Sequence, residues 1–251
     1  MKANRLPGRL VKRAFFEDTP EHVAPRLLGK LLVRRVGERE LMAGRIVEVE
    51  AYLGPHHGTP DRAAHSHRGP TARTSVLFGP AGHAYVYAIY GMHFCMNISC
   101  ETEGRAGSLL LRALEPVMGM EWMARNRGLK ITSVRGRAEI GSVPPITHPL
   151  SRTRDGWDTG NGWAAAKALT GGPGRLCQAL AITRTALNGV DLLNARSALQ
   201  VREDGFAVEQ VQVTARIGIR HAADLPLRFC LPGHGCVSGP KSFTGECVPV
   251  R

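Results

Sequence analysis

A segment with the alternation of a β strand carries two carboxylates two residues apart, Glu48 and Glu50. Both fall on the face that holds Tyr52, because side chains in a strand alternate between its two faces. Two negative charges on one face repel each other, which indicates that one of them is paired or functional. A carboxylate beside an aromatic surface could activate water as a general base. An edge strand with a solvated acidic face is the alternative.

A single charge, Arg112, lies inside the apolar run Leu109–Leu114. The run is typical of a buried strand, and a buried guanidinium needs an acidic or carbonyl partner. Glu50 is a candidate for that partner.

All four tyrosines, Tyr52, Tyr85, Tyr87 and Tyr90, lie within a stretch of 39 residues. A tyrosine offers a flat apolar face and a polar tip, which suits stacking on a nucleic-acid base. Tyrosine is also common in the cores of β sheets. Four of them around one loop favour a base-binding site over that alternative.

The sequence Tyr90-Gly91-Met92-His93 occupies the tip of a predicted β-hairpin. Large apolar groups at an exposed tip are unfavourable without a partner. An aromatic side chain at the end of a ribbon could act as a wedge between DNA base steps. A tip packed against the protein itself is the alternative.

The histidines of the loop at 55–75 raise the question of a metal site. His56, His57, His65 and His67 lie close in sequence to the two glutamates, but no further ligands follow at a recognisable spacing. A metal-dependent hydrolase is therefore a minor alternative.

The elements that must position these residues are mostly strands. A helix is predicted from Pro20, with Asp18 or Thr19 as its N-cap. Further helices are predicted at 116–127 and 173–182, the second after a glycine-rich turn that either binds a phosphate or simply redirects the chain. Strands are predicted at 31–33, 44–53, 83–90, 94–100, 109–114, 190–201, 207–219 and 227–231. Strands joined by hairpins outnumber helical crossovers, which favours an α+β fold over a doubly wound sheet.

Length and charge narrow the class of protein. The chain has 251 residues, a formal net charge of +12 and a pI near 10.0, so it is attracted to nucleic acid or to an anionic membrane face. No apolar run approaches the roughly 20 residues that a membrane span needs. The basic start lacks the apolar segment of a secretion signal, and no Cys-x-x-Cys occurs. We therefore expect a cytoplasmic protein with reduced, mostly buried thiols.

Half of the net charge is concentrated in one segment. Residues 122–154 contain seven Lys or Arg and one acid, Glu139. A flexible basic loop is predicted at about 128–168, within a single domain that spans residues 1–251. We expect this loop to add phosphate contacts that do not depend on the DNA sequence.

Five segments, running in order across nearly the whole chain, resemble motifs of the alkyladenine (3-methyladenine) DNA glycosylase family. They are Gly44–Pro55, Tyr85–Asn97, Leu110–Pro116, Gly172–Leu180 and Arg216–Ile219. The first two are long and specific. The resemblance implies an α+β single domain, with a mixed or antiparallel curved sheet, flanking helices and a protruding β-hairpin that inserts into DNA.

The resemblance also implies a function. Such an enzyme flips alkylated or deaminated purines out of double-stranded DNA and hydrolyses the N-glycosidic bond, which leaves an abasic site. No lysine occurs in the matched motifs, which favours base removal without strand cleavage. We expect a monomer that needs no cofactor and no metal. A catalytically inert protein that binds damaged DNA is the alternative.

Catalytic and pocket residues follow from their positions in these motifs. Glu50 matches the general base, and Arg112 helps to hold the attacking water together with the backbone carbonyl of Ile217. The base pocket is expected to comprise Tyr52, His65, Tyr87, Asn97 and Ile217. In that pocket Asn97 obstructs the 2-amino group of guanine, and His67 is an alternative to His65.

Residues that contact the DNA duplex are assigned in the same way. Intercalation into the gap left by the flipped nucleotide is assigned to Tyr90, with Met92 and His93 beside it. Phosphate contacts are assigned to Arg175 and Arg216.

Overall fold

The computed structural model describes residues 6–38, 40–58, 61–134, 137–141, 152–153, 156–157, 161–239 and 245–250. Its strands are β1 (Arg9–Leu10), β2 (Leu31–Val36), β3 (Glu40–Tyr52), β4 (Ala84–Ile89), β5 (His93–Cys100), β6 (Gly107–Met118), β7 (Lys130–Val134), β8 (Arg137–Gly141), β9 (Arg152–Thr153), β10 (Gly156–Trp157), β11 (Leu199–Glu203), β12 (Gln210–Thr214), β13 (Arg228–Cys230) and β14 (Glu246–Pro249). Its helices are α1 (Pro20–Leu27), α2 (Ser75–Phe78), α3 (Met120–Asn126), α4 (Asn161–Thr170), α5 (Pro173–Ala179) and α6 (Arg184–Leu187).

Strand β3 is the centre of the molecule. Within the described residues, ten strands form one sheet, and its pairings are antiparallel. Strand β6 pairs along one edge of β3, β2 and β13 pair along the other, and β5 with β4 extends the sheet beyond β6. Helices α1, α4 and α5 pack against this sheet. The architecture confirms a single α+β domain with an antiparallel sheet.

Both faces of β3 are buried, although its alternation predicts burial of only one. The strand is buried from Leu41 to Ala51. It is paired on both edges, and apolar clusters cover it, so neither face reaches solvent. Glu48 and Glu50 have no exposed surface at all. This excludes the edge strand with a solvated acidic face.

Two local predictions hold to the residue. Helix α1 begins at Pro20, directly after Thr19 in the N-cap position. Strands β4 and β5 form the predicted hairpin, whose last registered pair is Ile89 with His93. Tyr90, Gly91 and Met92 are therefore its tip.

Other boundaries need correction. The helix predicted at 116–127 begins too early, because β6 continues to Met118, which pairs with Ala43. Gly119 then turns the chain into α3 with a φ of 73°, a conformation that favours glycine. Helix α5 ends at Ala179, before the predicted residue 182. The strands predicted at 190–201, 207–219 and 227–231 contain or overlap the shorter strands β11, β12 and β13.

Part of the predicted basic loop at 128–168 is regular structure. Strands β7 and β8 pair as a hairpin, and α4 packs against β6. Charge and proline content indicate solvation, and they do not exclude a short hairpin or the start of a helix. Residues 135–136, 142–151, 154–155 and 158–160 lie outside the described residues. The phosphate contacts of this segment stay a prediction.

Two further expectations concern cysteines and membranes. The free cysteines comprise one exposed residue, Cys247, and five buried ones, Cys95, Cys100, Cys177, Cys230 and Cys236. The prediction of mostly buried thiols is therefore confirmed.

In the described part of the chain, no helix has the length and apolar character needed to cross a membrane.

Candidate active site

A β-bulge places Arg112 between the two glutamates of β3. The register of β3 and β6 skips Arg112, which lies between the residues that face Glu48 and Val49. Bulges of this kind re-aim side chains beside active sites. The guanidinium has its Nε 2.9 Å from Glu48 Oε1 and its Nη1 3.1 Å from Glu50 Oε1. Glu50 is thus one of the two acidic partners of Arg112.

Three donors surround the buried carboxylate of Glu50. The hydroxyl of Tyr52 donates to Oε2 at 2.9 Å, and the backbone N–H of Ile217 donates to Oε1 at 2.7 Å. Arg112 supplies the third contact. Such donors compensate for the hydration that a buried charge loses. The carbonyl of Ile217 was assigned to the attacking water, and that role stays a proposal.

The donors around Glu50 have fixed protonation states. Burial and the negative charge of Glu50 raise the pKa of the Tyr52 hydroxyl far above its ordinary value, so this group keeps its proton and donates it. Burial lowers the pKa of Arg112, but Glu50 and Glu48 outweigh that effect and raise it above its usual value. Arg112 therefore stays positively charged beside the carboxylate.

A cavity of about 320 Å³ opens beside these groups. This volume is at the small end of ligand pockets, which span roughly 300–1,000 Å³. Its wall includes the predicted catalytic and pocket residues Glu50, Arg112, Tyr52, His65, Tyr87, Asn97 and Ile217. The fold therefore gathers residues that are far apart in sequence, such as Glu50 and Ile217, which are separated by 167 positions. Apolar wall residues that the sequence did not reveal include Leu77, Ile89, Leu110 and Ile219.

Two aromatic rings of the cavity wall, His65 and Tyr87, pack against a third, Tyr85, that lies outside the wall. His65 meets Tyr87 edge-on with 4.6 Å between ring centroids, and Tyr87 stacks on Tyr85 at 5.3 Å. The Nδ1 atom of His65 lies 3.0 Å from the hydroxyl of Tyr85. Of the two histidines considered, His65 is the one on the cavity wall, and His67 is not part of that wall.

We expect His65 to stay neutral until the pH falls to about 4. Burial, helped by the nearby positive charge of Arg73, lowers the pKa of His65 to about 4, whereas an unfolded histidine has a pKa of about 6.5. Between these values the unfolded chain binds more protons, so the free energy of unfolding falls as the pH decreases from about 6.5 to about 4. An NMR titration of the imidazole and pH-dependent unfolding of wild type and His65→Gln check this. In His65→Gln, the free energy of unfolding should depend less on pH between about 6.5 and about 4. Titration of His65 near the pKa of an unfolded histidine would contradict the expectation.

Asn97 belongs to the cavity wall and has one unsatisfied polar atom. The residue is 6% exposed, and its Nδ2 donates to Ser108 Oγ at 3.0 Å. Its Oδ1 is buried and has no hydrogen-bond partner among the described residues. An unsatisfied buried acceptor costs about 1–3 kcal/mol, which a ligand or a water could offset.

The tip of the β4–β5 hairpin projects from the protein. Tyr90 is 91% exposed and Met92 is 81% exposed, and His93 beside them is also exposed. Tyr90 has a φ of 49°, and a left-handed backbone costs a residue with a Cβ roughly 1–2 kcal/mol. Exposed apolar surface and backbone strain are both typical of functional sites. A tip packed against the protein's own body is excluded.

Arg216 lies in an environment that does not suit its assigned phosphate contact. Its side chain has no exposed surface, and its Nη1 and Nη2 donate to the two carboxylate oxygens of Asp61 at 2.6 and 2.8 Å. The guanidinium also lies 4.5 Å from the ring centroid of Tyr52. A phosphate contact needs a guanidinium at the surface, so this assignment is corrected: Arg216 supports the pocket. Arg175 is exposed in α5, and its phosphate contact stays a proposal.

Asp61 is a site residue that the sequence analysis missed. Besides Arg216, its carboxylate accepts hydrogen bonds from the backbone N–H groups of Leu53, directly after β3, and of Ala63 in its own loop. It thereby ties the loop that carries His65 to the segment that carries Ile217. The available signal was an Asx turn at Asp61, which does not reveal a partner 155 residues away.

His56 and His57 form a separate group away from the cavity wall. Their Nε2 atoms each lie 2.7 Å from an oxygen of the buried Glu101, and the three ligating atoms are within 4.8 Å of one another. These side chains are the candidates for holding a metal ion among the described residues. The Nε of Arg105 already contacts the same carboxylate at 3.0 Å, which disfavours a cation there. None of the three residues belongs to the wall of the cavity that holds Glu50, so the group gives the metal-dependent hydrolase no support.

Comparisons with known proteins agree on one family. The family model of methylpurine-DNA glycosylase (MPG) matches residues 14–235. A protein of Koribacter versatilis named "Putative 3-methyladenine DNA glycosylase" is 46% identical over 229 residues, which cover 91% of this chain and 93% of that protein. A protein of the same name from Burkholderia lata is 41% identical over 95% of this chain and 95% of its own length. Another from Methanoculleus marisnigri is 45% identical over 90% of this chain and 96% of its own length. The chain therefore belongs to the methylpurine-DNA glycosylase family, and the predicted enzyme class, a monofunctional DNA glycosylase, is confirmed.

Proposed function

We propose that this glycosylase flips a damaged purine nucleotide from duplex DNA into the cavity and hydrolyses its N-glycosidic bond with a water that Glu50 activates. The observation that carries the proposal is the position of Glu50. Its carboxylate has no surface exposed to bulk solvent, yet it forms part of the cavity wall. A general base needs such access to its substrate within an environment that excludes water.

The proposed reaction balances as a hydrolysis. The bond between the sugar C1′ and the purine N9 breaks, and its electron pair leaves with the base. The water oxygen bonds to C1′, one water proton passes to the Glu50 carboxylate, and the other stays on the new hydroxyl. An alkylated purine carries a positive charge that this electron pair neutralises, so its departure needs no strong acid. The negative charge of Glu50 also stabilises the positive charge that develops on the sugar.

The cavity wall suits a flat, positively charged base. The faces of Tyr52 and Tyr87 attract a cation through their π systems. His65 is neutral above pH 4, so it adds no like charge beside the base. Asn97, which is held by Ser108, is proposed to obstruct the 2-amino group of undamaged guanine. Arg112 and the carbonyl of Ile217 are proposed to hold the attacking water.

The exposed hairpin is proposed to enter the duplex. Tyr90 would fill the gap left by the flipped nucleotide, and Met92 and His93 would contact the neighbouring bases. Arg175 and the basic region 128–168 would contact phosphates around this point. We propose that the protein acts as a monomer on double-stranded DNA.

Tyr90→Ala is expected to weaken binding to a lesion-containing duplex by about 5- to 150-fold, because stacking of an aromatic ring on a base is worth about 1–3 kcal/mol. The free energy of unfolding should not fall, since the ring is exposed. Fluorescence anisotropy with labelled duplexes measures the affinity, and urea unfolding measures the stability. Met118→Ala removes an exposed apolar side chain elsewhere and serves as the matched control. Unchanged affinity of Tyr90→Ala would remove Tyr90 from the proposed interface.

Single-turnover base release in the presence of EDTA tests the proposed function. The substrates are duplexes with one hypoxanthine or one ethenoadenine, and DNA that carries 3-methyladenine or 7-methylguanine. We expect the free base and an abasic site, with strand breakage only after alkali. Activity lost in EDTA and restored by a divalent metal would favour the metal-dependent hydrolase. Tight binding without release on every substrate would favour the catalytically inert binder of damaged DNA.

A further inference from the structure

The two glutamates of β3 have opposite surroundings although they are two residues apart. Glu50 belongs to the cavity wall, whereas Glu48 does not, and both are completely buried. Glu48 Oε1 lies 2.9 Å from Arg112 Nε, 2.7 Å from Arg228 Nε and 2.9 Å from Ser238 Oγ. Its Oε2 accepts the backbone N–H of Ser238 at 2.6 Å. Three donors therefore meet Oε1 and one meets Oε2, and the side chain has no exposed surface, so Glu48 is held by the protein and is not open to solvent.

The partners of Glu48 are themselves held by other groups. Arg228 has no exposed surface, and in the register of β13 and β3 it lies opposite Glu50. Its Nη1 donates to Thr214 Oγ1 at 3.0 Å, and its Nη2 donates to the carbonyl of Ser238 at 3.1 Å. The formal charges of two glutamates and two arginines cancel within this buried cluster. Within this cluster, Glu48 has the properties of a rigid support, whereas Glu50 is the group that faces the cavity.

We infer that Glu48 is a positioning residue that acts through Arg112. A guanidinium is planar with its donors in a fixed fork, so two anchored nitrogens decide where the third points. Glu48 holds Nε of Arg112, and Ser238 Oγ lies 3.2 Å from its Nη2. The remaining nitrogen, Nη1, is thereby directed to Glu50. The inference rests on the proposed function, in which Glu50 is the general base.

Loss of Glu48 would change how Arg112 meets Glu50. Without its second anionic partner, the guanidinium would turn towards Glu50 and bind it through two nitrogens. That arrangement would occupy the oxygen that must accept a proton from water. We therefore expect slower chemistry with unchanged DNA binding, because Glu48 does not contact the cavity.

A double-mutant cycle on the full chain tests this inference. Glu48→Gln keeps the size of the side chain and should slow single-turnover base release by about 10²-fold, the effect of a misplacement of about 1 Å. The dissociation constant for the damaged duplex should stay the same. In an Arg112→Met background, Glu48→Gln should cause no further loss, because no guanidinium remains to be positioned. Ser238→Ala keeps every charge and should show a smaller loss of rate that also disappears in the Arg112→Met background.

The outcomes separate this inference from the proposed function. The inference would be overturned if Glu48→Gln slowed base release by the same factor in both backgrounds. It would also be overturned if Glu48→Gln alone released the base at the wild-type rate. If Glu48→Gln does not fold, the Ser238→Ala cycle decides in the same way. Glu115→Gln is the matched control, because Glu115 is a buried carboxylate of β6 that faces Arg45 and should leave the rate unchanged. A wild-type rate in Arg112→Met would instead contradict the proposed role of Arg112.

Discussion

Glu50→Gln is expected to reduce single-turnover base release by about 10²- to 10⁴-fold, the range for loss of a general base. Glutamine has nearly the same shape, and its amide oxygen can still accept the N–H of Ile217. The amide cannot take a proton from water, and it offers no negative charge to the sugar. Binding of damaged duplex should be retained, since the hairpin and the aromatic wall are untouched.

The comparison with Glu115→Gln separates chemistry from folding. Both substitutions place an amide where a buried carboxylate stood, but Glu115 lies outside the cavity wall. Base release and duplex affinity are measured in parallel for both variants, with EDTA present. A wild-type rate in Glu50→Gln would place the general base on another residue. Loss of affinity together with loss of rate would indicate a collapsed pocket instead of a missing proton acceptor.

Local signals in the sequence predict the elements that depend on neighbouring residues. Pro20 after Thr19 sets the start of α1, and a glycine between alternating strands sets the β4–β5 hairpin. The helix predicted at 116–127 starts too early because pairing with β3 extends β6 to Met118. That pairing partner is distant in sequence, so no local pattern reports it.

The site residues also divide into those that a local pattern reveals and those that depend on partners distant in sequence. Arg112 could be singled out because one charge in an apolar run must have a partner. Strand alternation alone does not tell Glu48 from Glu50, and only the motif resemblance singled out Glu50, because a bulge and the contacts of Arg228 and Ser238 decide which one faces the cavity. The phosphate contact assigned to Arg216 is wrong for a related reason, because burial in an ion pair with a distant residue leaves no local signal.

Asp61→Asn is expected to cost about 3–5 kcal/mol of unfolding free energy, because it leaves the buried charge of Arg216 without its anionic partner. The expectation follows from burial, since neither side chain of this ion pair has exposed surface. Glu40→Gln breaks an ion pair with Arg125, whose side chain is 66% exposed, and should cost no more than about 1 kcal/mol. Urea unfolding measures both values. A cost for Asp61→Asn as small as that of Glu40→Gln would contradict the expectation.

A second variant separates the stability of this ion pair from its role in the site. Replacing both partners of a buried pair with apolar residues is often neutral or stabilising. The double variant Asp61→Leu with Arg216→Met should therefore regain most of the unfolding free energy that Asp61→Asn loses. Base release should still be slower than in wild type, because the double variant loses the hydrogen bonds of the Asp61 carboxylate to the backbone N–H groups of Leu53 and Ala63. It also loses the hydrogen bond that Arg216 donates to the carbonyl of Ala51 at 2.9 Å. Those contacts join the His65 loop, β3 and the segment that holds Glu50 through Ile217, so a stable core alone does not restore the pocket.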